Sequence, residues 1–262
     1  MRTLLHVAQL AGLNAVPVAG VLGGGWSSAT ALVLYWCETI LLAVLIAVRI
    51  EWHRLATHKR GHYLAMQVTT HSGGRTTRRQ QAIPYSVVFA LVAALGCIVQ
   101  GAFLFFVLNR AGLLQSIRLD DLRAGLRVTA ALVALGFAID LIGLRKRPFA
   151  WIDAISLRVL RRMLVVQVVV IIGFAAVGWF DAPHAVLAGF ALFKLLTDIG
   201  SQVPDYNPRE APAWMVRWLG AGFADHWRRE RRQEDAQAAA QEEPYAGVPM
   251  PQAKPMIQVT KY

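Results

Sequence analysis

Long apolar runs separated by short polar or basic stretches dominate this chain. A helix needs about 20 mostly apolar residues to cross a bilayer, because its backbone polar groups must be satisfied within the segment. Six runs meet this pattern: Leu4 to Leu22, Ser28 to Arg49, Pro84 to Leu108, Gly125 to Leu144, Met163 to Phe180, and Pro183 to Val203. The sequence therefore predicts an all-α, polytopic bundle of about six transmembrane helices in a domain over residues 1–203.

The first run is interrupted by Asn14 and Pro17 and ends in three glycines, so a kink or an incomplete crossing is an alternative. A cleavable signal peptide is a second alternative, because Arg2 precedes the apolar stretch. His6 and Gln9 break that stretch, however, and the small-residue cleavage site is poor. A membrane helix remains the prediction for this run.

Two further segments are predicted after the last run. Residues 204–240 have helical composition and combine aromatic with basic side chains, which is typical of a helix that lies on the cytoplasmic membrane face. The interfacial residues expected there are Trp214, Arg217, Trp218, Trp227 and Arg228. Packing of this aromatic stripe on another part of the protein is the alternative. Residues 241–262 are rich in proline and predict an extended tail that has no structure alone.

The loops between the runs differ sharply in basic charge. Of the 27 Lys and Arg residues, 22 fall in the amino terminus, the second and fourth loops and the carboxyl-terminal region, which alternate with loops that hold only four. Since basic loops stay in the cytoplasm, both termini are predicted to be cytoplasmic. Trp26 then lies in a short outside turn, at the membrane interface. The basic loop at residues 51–83 is predicted to extend the second helix and then become mobile around Ser72 and two glycines.

Composition supports the membrane assignment. The chain is 56% hydrophobic and 16% charged, against about 25% charged residues in a soluble domain. The net charge of +11 comes from residues between apolar runs, so nucleic acid is not the predicted partner. Abundant Arg and Ala suggest a bacterial source, and thus the bacterial inner membrane. Cys37 and Cys97 each lie alone in a predicted helix and indicate neither a disulfide framework nor a thiolate metal cluster.

Glu38 is the most informative single residue, because a carboxylate at a bilayer centre costs about 2.5 to 3.5 kcal/mol on insertion scales. Lys194 is central in the sixth run, Asp198 is one turn beyond it on the same face, and Asp140 is in the fourth run. These four residues are predicted to form an intramembrane polar cluster, in which a salt bridge between Glu38 and Lys194 is feasible. Asp140 has an alternative, since Arg145 and Lys146 can draw it toward the headgroups.

The cluster has two interpretations. It can be a static polar clasp that orders the bundle, as buried polar groups in membrane bundles often are. Alternatively, three carboxylates facing one amine leave excess negative charge, and one carboxyl group can then carry protons for a coupled transporter. Glu38 is the candidate for that role.

Evidence for other chemistry is weak. His58 and His62 are four residues apart, the spacing of a metal-binding pair on one helix face, but Gly61 weakens the helix and Lys59 and Arg60 repel a cation. Phosphate-binding loops, nucleophile elbows and zinc-protease motifs do not occur in the sequence. No cofactor is predicted, and an intramembrane enzyme with residues from separate helices is the least favoured alternative.

The stretch from Val16 to Ile50 carries Gly20, Trp26, Tyr35, Trp36 and Glu38 and resembles the bacterial membrane-protein family of unknown function DUF6498. The last run, with Lys194 and Asp198 after Phe and Leu residues, is also similar to the end of that family. These motifs cover about a quarter of the chain. The resemblance implies a polytopic helical protein whose embedded acidic residue and terminal Lys and Asp matter together, and it implies no activity.

The function predicted from these observations is that of a non-catalytic accessory or scaffold subunit. It would bind membrane lipids and, through the tail, other membrane protein subunits.

Overall fold

A computed structural model of the chain describes residues 2–72, 75–180, 196, 200, 208, 210–248 and 258–261. The chain divides into two compact units. The helical unit is drawn from Met1–Arg49, Phe89–Leu144 and Ala154–Val203. The sheet unit is drawn from Ile50–Val88, Arg145–Asp153 and Pro204–Tyr262.

Helices account for most of the described residues. They are α1 (Arg2–Gly23), α2 (Ser28–Thr57), α3 (Tyr85–Arg110), α4 (Leu119–Leu141), α5 (Phe149–Phe180), α6 (Ala213–Leu219) and α7 (Ala221–Glu242). By length and composition, α2, α3 and α4 can each cross a membrane. Within the part of α1 whose side chains the structure describes, Ala11–Gly23 forms a shorter apolar helix. The predominantly helical fold is therefore confirmed, and three helices are long and apolar enough for a membrane protein.

The predicted spans agree with the structure to different extents. The second, third and fourth spans correspond to α2, α3 and α4, and the fifth lies within the longer α5. Most of the sixth, residues 183–203, lies outside the described residues. Because three helices of the described chain satisfy the length and composition of a span, the predicted total of six crossings is not supported.

One face of α3 is apolar and exposed, as a helix in contact with lipid should be. Its exposed residues recur every three or four positions and include Leu91, Leu95, Ile98 and Phe105, each more than 60% exposed. A soluble protein rarely exposes so continuous an apolar surface. The stripe is consistent with a bilayer around the helical unit.

Within the helical unit, glycines allow side chains to pack directly against helix backbones. Helix α1 packs against α4, and the Trp26 ring lies against both Gly20 of α1 and Gly125 of α4. The Trp36 ring covers Gly101 of α3, and its Nε1 donates a hydrogen bond to the Cys97 carbonyl oxygen at 3.0 Å. Trp26 therefore has a packing role between helices, beyond the interfacial position predicted from the sequence.

Replacing Gly125 with Ala is expected to lower the free energy of unfolding by about 1 to 3 kcal/mol, because the new methyl group overpacks the helix contact. It would lie 2.7 Å from Leu34 Cδ2 and 2.8 Å from Trp26 Cη2. The matched control is Gly23→Ala, since a Cβ at Gly23 meets nothing within 4 Å. Unfolding of each variant in detergent would be followed by circular dichroism. Equal stability of the two variants would contradict the proposed close contact.

The described residues of the sheet unit include three strands, which the sequence interpretation missed. Strand β1 (Tyr63–Ser72) pairs antiparallel with β2 (Arg75–Pro84), and β3 (Gln258–Lys261) pairs parallel with β1, giving the order β2-β1-β3. The antiparallel register continues to the pairing of Ser72 with Arg75, the residues on either side of Gly73 and Gly74 in the sequence. Strands therefore occupy most of the stretch that the sequence interpretation assigned to a loop, and part of the tail expected to be unstructured is also a strand.

Where the sequence predicts one interfacial helix over 204–240, the described residues form two helices. Gly220 has φ +85°, which separates α6 from α7. The start of α7 is held by Trp227 Nε1, which donates to the Pro208 carbonyl oxygen at 3.3 Å, and by Arg231 Nη2, which donates to the same oxygen at 3.1 Å. Helix α7 ends at Glu242, two residues beyond the predicted boundary.

Candidate functional site

The buried face of α2 in the helical unit carries polar side chains among apolar ones. Tyr35, Glu38, Thr39 and Arg49 are all less than 7% exposed. Glu38 and Arg49 are 11 residues apart, which is close to three helical turns, so both lie on this face. The Tyr35 hydroxyl donates a hydrogen bond to the Asn14 carbonyl oxygen of α1 at 3.3 Å. Polar groups therefore join α2 to its neighbours along a continuous stripe.

Glu38 forms an ion pair with Arg162 of α5. The Arg162 Nη2 group donates a charge-assisted hydrogen bond to Glu38 Oε1. The Glu38 side chain is 1% exposed and that of Arg162 is 11% exposed, so the pair is almost completely removed from solvent. Charge-assisted hydrogen bonds of this kind are about twice as strong as neutral ones. The contact fixes the position of both side chains between two helices.

Arg49 forms a second buried ion pair with Asp140 of α4. Its Nη2 lies 3.0 Å from Asp140 Oδ2, and the two side chains are 7% and 15% exposed. The guanidinium carbon also lies 5.3 Å from the centroid of the Phe137 ring, within the range of a cation–π contact. Helix α2 thus contributes one acidic and one basic side chain to two separate buried pairs, with α5 and α4 as the other helices.

The structure assigns arginine partners to two members of the predicted polar cluster. Asp140 pairs with Arg49, a partner that neither the predicted cluster nor the alternative pairing with Arg145 and Lys146 included. Lys194 and Asp198 lie outside the described residues, so the salt bridge between Glu38 and Lys194 stays a prediction.

Sequence reasoning missed both arginines, because Arg49 and Arg162 were counted as loop charges. Two signals could have revealed them. The 11-residue spacing puts Arg49 on the face of Glu38, and Arg162 comes directly before an apolar run.

The sheet unit contains a second candidate, a pair of fully buried histidines. His53 Nδ1 lies 2.7 Å from His62 Nε2, and His53 Nε2 lies 3.0 Å from the Arg147 carbonyl oxygen. If His53 Nε2 carries the proton and donates to that carbonyl, His53 Nδ1 accepts from His62 Nε2. The Phe149 ring contacts His62 edge-on, with centroids 4.8 Å apart. Both histidines are 0% exposed.

This arrangement differs from the metal pair suggested by the spacing of His58 and His62. Helix α2 ends at Thr57, and His58 has φ +49°, so His58 and His62 do not share a helix face. His62 instead bonds to His53, nine residues earlier. Among the residues that the structure describes, no group of three or more His, Cys, Asp or Glu side chains is placed to hold a metal ion.

The pKa of His62 is lowered from the ordinary value of 6.5 to about 3, mainly by burial and additionally by the nearby His53, Arg54 and Lys59. Between these two values the unfolded chain binds a proton that the folded chain does not. Stability that is complete above pH 6.5 is therefore lost as the pH falls toward 3.

Lowering the pH from 7 to 5 is expected to reduce the free energy of unfolding by about 2 kcal/mol through His62. Thermal unfolding of the purified protein at both pH values would measure the change. His62→Gln should remove this acid sensitivity, whereas His226→Gln should retain it, because His226 is exposed on α7. The same pH dependence in both variants would exclude His62 as the source.

The predicted interfacial residues fall into two groups. Trp214, Arg217 and Trp218 of α6 are exposed, with exposed fractions of 64% for Trp214 and 86% for Trp218. Trp227 of α7 is partly buried against Pro208, and Arg228 pairs with Asp225 at 2.9 Å on the same helix. Only α6 therefore offers exposed tryptophans for contact with a lipid surface or a partner within the described part of this segment.

Comparisons with known proteins give one match. A family model described as a family of unknown function (DUF6498) matches residues 1–239, which extends well beyond the motifs noted in the sequence. No curated protein and no solved structure matches the chain.

Proposed function

Because the chain belongs to the family of unknown function DUF6498, we propose its function from the geometry of its own residues. We propose that it is an integral protein of the bacterial inner membrane and acts as a non-catalytic accessory or scaffold subunit. The proposal keeps the six crossings of the sequence prediction, of which α2, α3 and α4 meet the length and composition of a span, and it keeps both termini in the cytoplasm, as the distribution of basic residues favours.

The observation that carries this proposal is the engagement of Glu38 by Arg162. A carboxylate that carries protons in a transporter must change its protonation and its contacts during each cycle. Glu38 is held by a buried guanidinium, and Asp140 is held in the same way by Arg49. Both embedded carboxylates thus have the contacts expected of a static clasp between helices, which supports a scaffold over a transporter.

We further propose that α6 contacts the cytoplasmic lipid surface. Tryptophan is enriched at headgroup depth, and a nearby arginine favours anionic lipid. The exposed Trp214 and Trp218 and the adjacent Arg217 supply this chemistry. Brominated phospholipids quench tryptophans that reach the bilayer. Quenching in proteoliposomes should decrease in the Trp214→Ser/Trp218→Ser variant and remain in Trp227→Ser, and equal quenching in all three proteins would argue against lipid contact.

The partner is proposed to be another membrane protein subunit that binds the tail after Gly247. The end of this tail includes β3, which joins a sheet edge within the chain, and strand addition is a common mode of peptide recognition. Purification in mild detergent tests the proposal by comparing the full chain with a chain that ends at Gly247. Loss of a stoichiometric partner from the shorter chain is expected. A monodisperse lone protein that the deletion leaves unchanged would contradict it.

A flux assay distinguishes proton-coupled transport through Glu38 from the scaffold role. Transport would appear as a pH-dependent solute flux in proteoliposomes that Glu38→Gln abolishes while the variant keeps its fold. The scaffold proposal expects no such flux.

A further inference from the structure

The end of α7 is bound by another part of the sheet unit as a short peptide would be. The acidic segment consists of Glu242, Glu243, Pro244 and Tyr245 and lies beyond the residues matched by the family model. It contacts residues 58–63, which follow α2, and Phe149, the first residue of α5; Lys59 links the two stretches by also bonding to Arg147, just before α5. These two stretches are called the docking site.

The docking site recognises the Glu242 carboxylate with a cation and a helix amino terminus. Lys59 Nζ donates to Glu242 Oε2 at 2.5 Å and to the Arg147 carbonyl oxygen at 2.9 Å. The other carboxylate oxygen, Oε1, accepts a hydrogen bond from the Phe149 backbone N–H at the start of α5. Unsatisfied N–H groups and the helix dipole favour a negative charge at this position. Arg60 Nη1 adds a weaker contact to Glu243 Oε2 at 3.3 Å.

Backbone hydrogen bonds and ring stacking fix the register of the acidic segment. The Arg60 N–H donates to the Glu243 carbonyl oxygen at 2.7 Å, and the Tyr245 N–H donates to the His58 carbonyl oxygen at 2.9 Å. Lys59 and Pro244 are opposite each other in an antiparallel bridge. The Tyr245 ring then stacks on Tyr63, with centroids 3.7 Å apart and planes inclined by 14°. The docking site thus binds three features of the acidic segment: two adjacent carboxylates, an extended backbone and an aromatic ring.

Between its two ends, α7 is mostly exposed to solvent. Its side chains between these two ends are mostly polar and exposed, and Arg228 and Arg231 form ion pairs within the helix itself. Apart from contacts within α6 and α7, the described hydrogen bonds and ion pairs of α7 join it to Pro208 near its start and, through the acidic segment, to the docking site at its end. Release of the acidic segment would therefore free the end of the helix while its internal hydrogen bonds persist.

We propose that the docking site binds a short acidic segment of a partner protein, and that Glu242–Tyr245 is the resident ligand which this partner displaces. The recognised chemistry is two adjacent carboxylates followed by an aromatic residue. Charge complementarity with Lys59 and Arg60 selects this partner, and the α5 amino terminus strengthens the selection. The resident segment competes at the high effective concentration of an intramolecular ligand, so partner binding is strong only when the resident segment is weakened or outcompeted.

A labelled peptide of residues 241–247 tests the proposal on the full chain in mild detergent. By fluorescence polarisation, it should bind the Glu242→Gln/Glu243→Gln variant at least about tenfold more tightly than wild type, because the resident competitor is weakened. Adding Lys59→Gln to that variant should reduce the affinity by about tenfold, whereas Lys146→Gln, at an exposed basic residue of the same unit, should leave it unchanged. A peptide with both glutamates replaced by glutamine is the ligand control.

Hydrogen exchange of the wild-type chain provides a second measurement that needs no variant. Excess peptide should accelerate exchange of the Tyr245 N–H and of the last turn of α7, since the resident segment leaves. Equal peptide affinity for all protein variants, or unchanged exchange in wild type, would overturn the proposal. A concentration-dependent dimer that Lys59→Gln abolishes would assign the site to a second copy of this chain and overturn the partner assignment.

These outcomes are independent of the tail deletion that tests the scaffold role, because a chain ending at Gly247 keeps the acidic segment.

Discussion

Replacing Arg162 with Leu is expected to lower the free energy of unfolding by about 3 to 5 kcal/mol, because it leaves the Glu38 carboxylate buried beside an apolar side chain. Glu38 is 1% exposed, so water cannot replace the lost guanidinium without opening the helix packing. Titration with a denaturing detergent, followed by circular dichroism, would measure the loss. Glu38→Gln should also destabilise the chain, because Arg162 then loses its ion pair with Glu38.

The double variant distinguishes the energy of the Glu38–Arg162 ion pair from the separate contributions of the two side chains. Glu38→Gln/Arg162→Leu should recover most of the lost stability, since neither buried charge remains. The exposed ion pair between Arg123 and Asp120 supplies the control, and Arg123→Leu should change stability by less than about 1 kcal/mol. Additive losses in the double variant would show that the two side chains act separately and would remove the basis of the clasp.

Asp140→Asn is expected to destabilise the chain by about 3 kcal/mol, because the buried Arg49 then loses its counter-charge. The larger exposure of Asp140, 15%, puts this loss at the lower end of the range for broken buried pairs. Asp140→Asn/Arg49→Met should restore stability in the same titration. Restoration by changing Arg145 and Lys146 instead would mean that Asp140 pairs toward the headgroups, as its sequence position suggests.

A further combination tests whether the two buried pairs are independent. Arg162→Leu and Asp140→Asn affect different helix contacts of α2, so their effects should add within about 0.5 kcal/mol. A strong departure from additivity would indicate that α2 transmits the loss of one pair to the other.

Much of the helical architecture follows from the sequence because lipid imposes a strict length of apolar residues. The third predicted span, Pro84 to Leu108, differs from α3 by one or two residues at each end. The end of α2 was harder to predict. The helix continues eight residues beyond Arg49, through a charged stretch that hydropathy assigns to a loop. There the Glu51 carboxylate accepts hydrogen bonds from Arg54 and from the Ser86 hydroxyl, local contacts that apolar periodicity cannot reveal.

The candidate site was predictable only in part. A carboxylate within an apolar run is conspicuous, so Glu38 and Asp140 were identified from the sequence. Their arginine partners were not, because hydropathy and loop counting treat every basic residue near a span as a topology signal. The His53–His62 contact joins a helix to a turn nine residues later, and no helical or strand period relates the two. The β1–β2 hairpin was missed for a different reason, since its polar strands look like a loop until the glycine pair between them is recognised.

The separation of Glu38 from Arg162 along the chain has a consequence for biosynthesis. The two residues are 124 positions apart, and synthesis at about 5 to 20 residues per second puts roughly 6 to 25 seconds between them. During this interval α2 has left the ribosome with a carboxylate in its apolar stretch and no α5 to receive it. Until α5 is made, Glu38 must therefore be protonated or remain in contact with the insertion machinery. Insertion of α2 is expected to be the step at which the nascent chain is most often degraded.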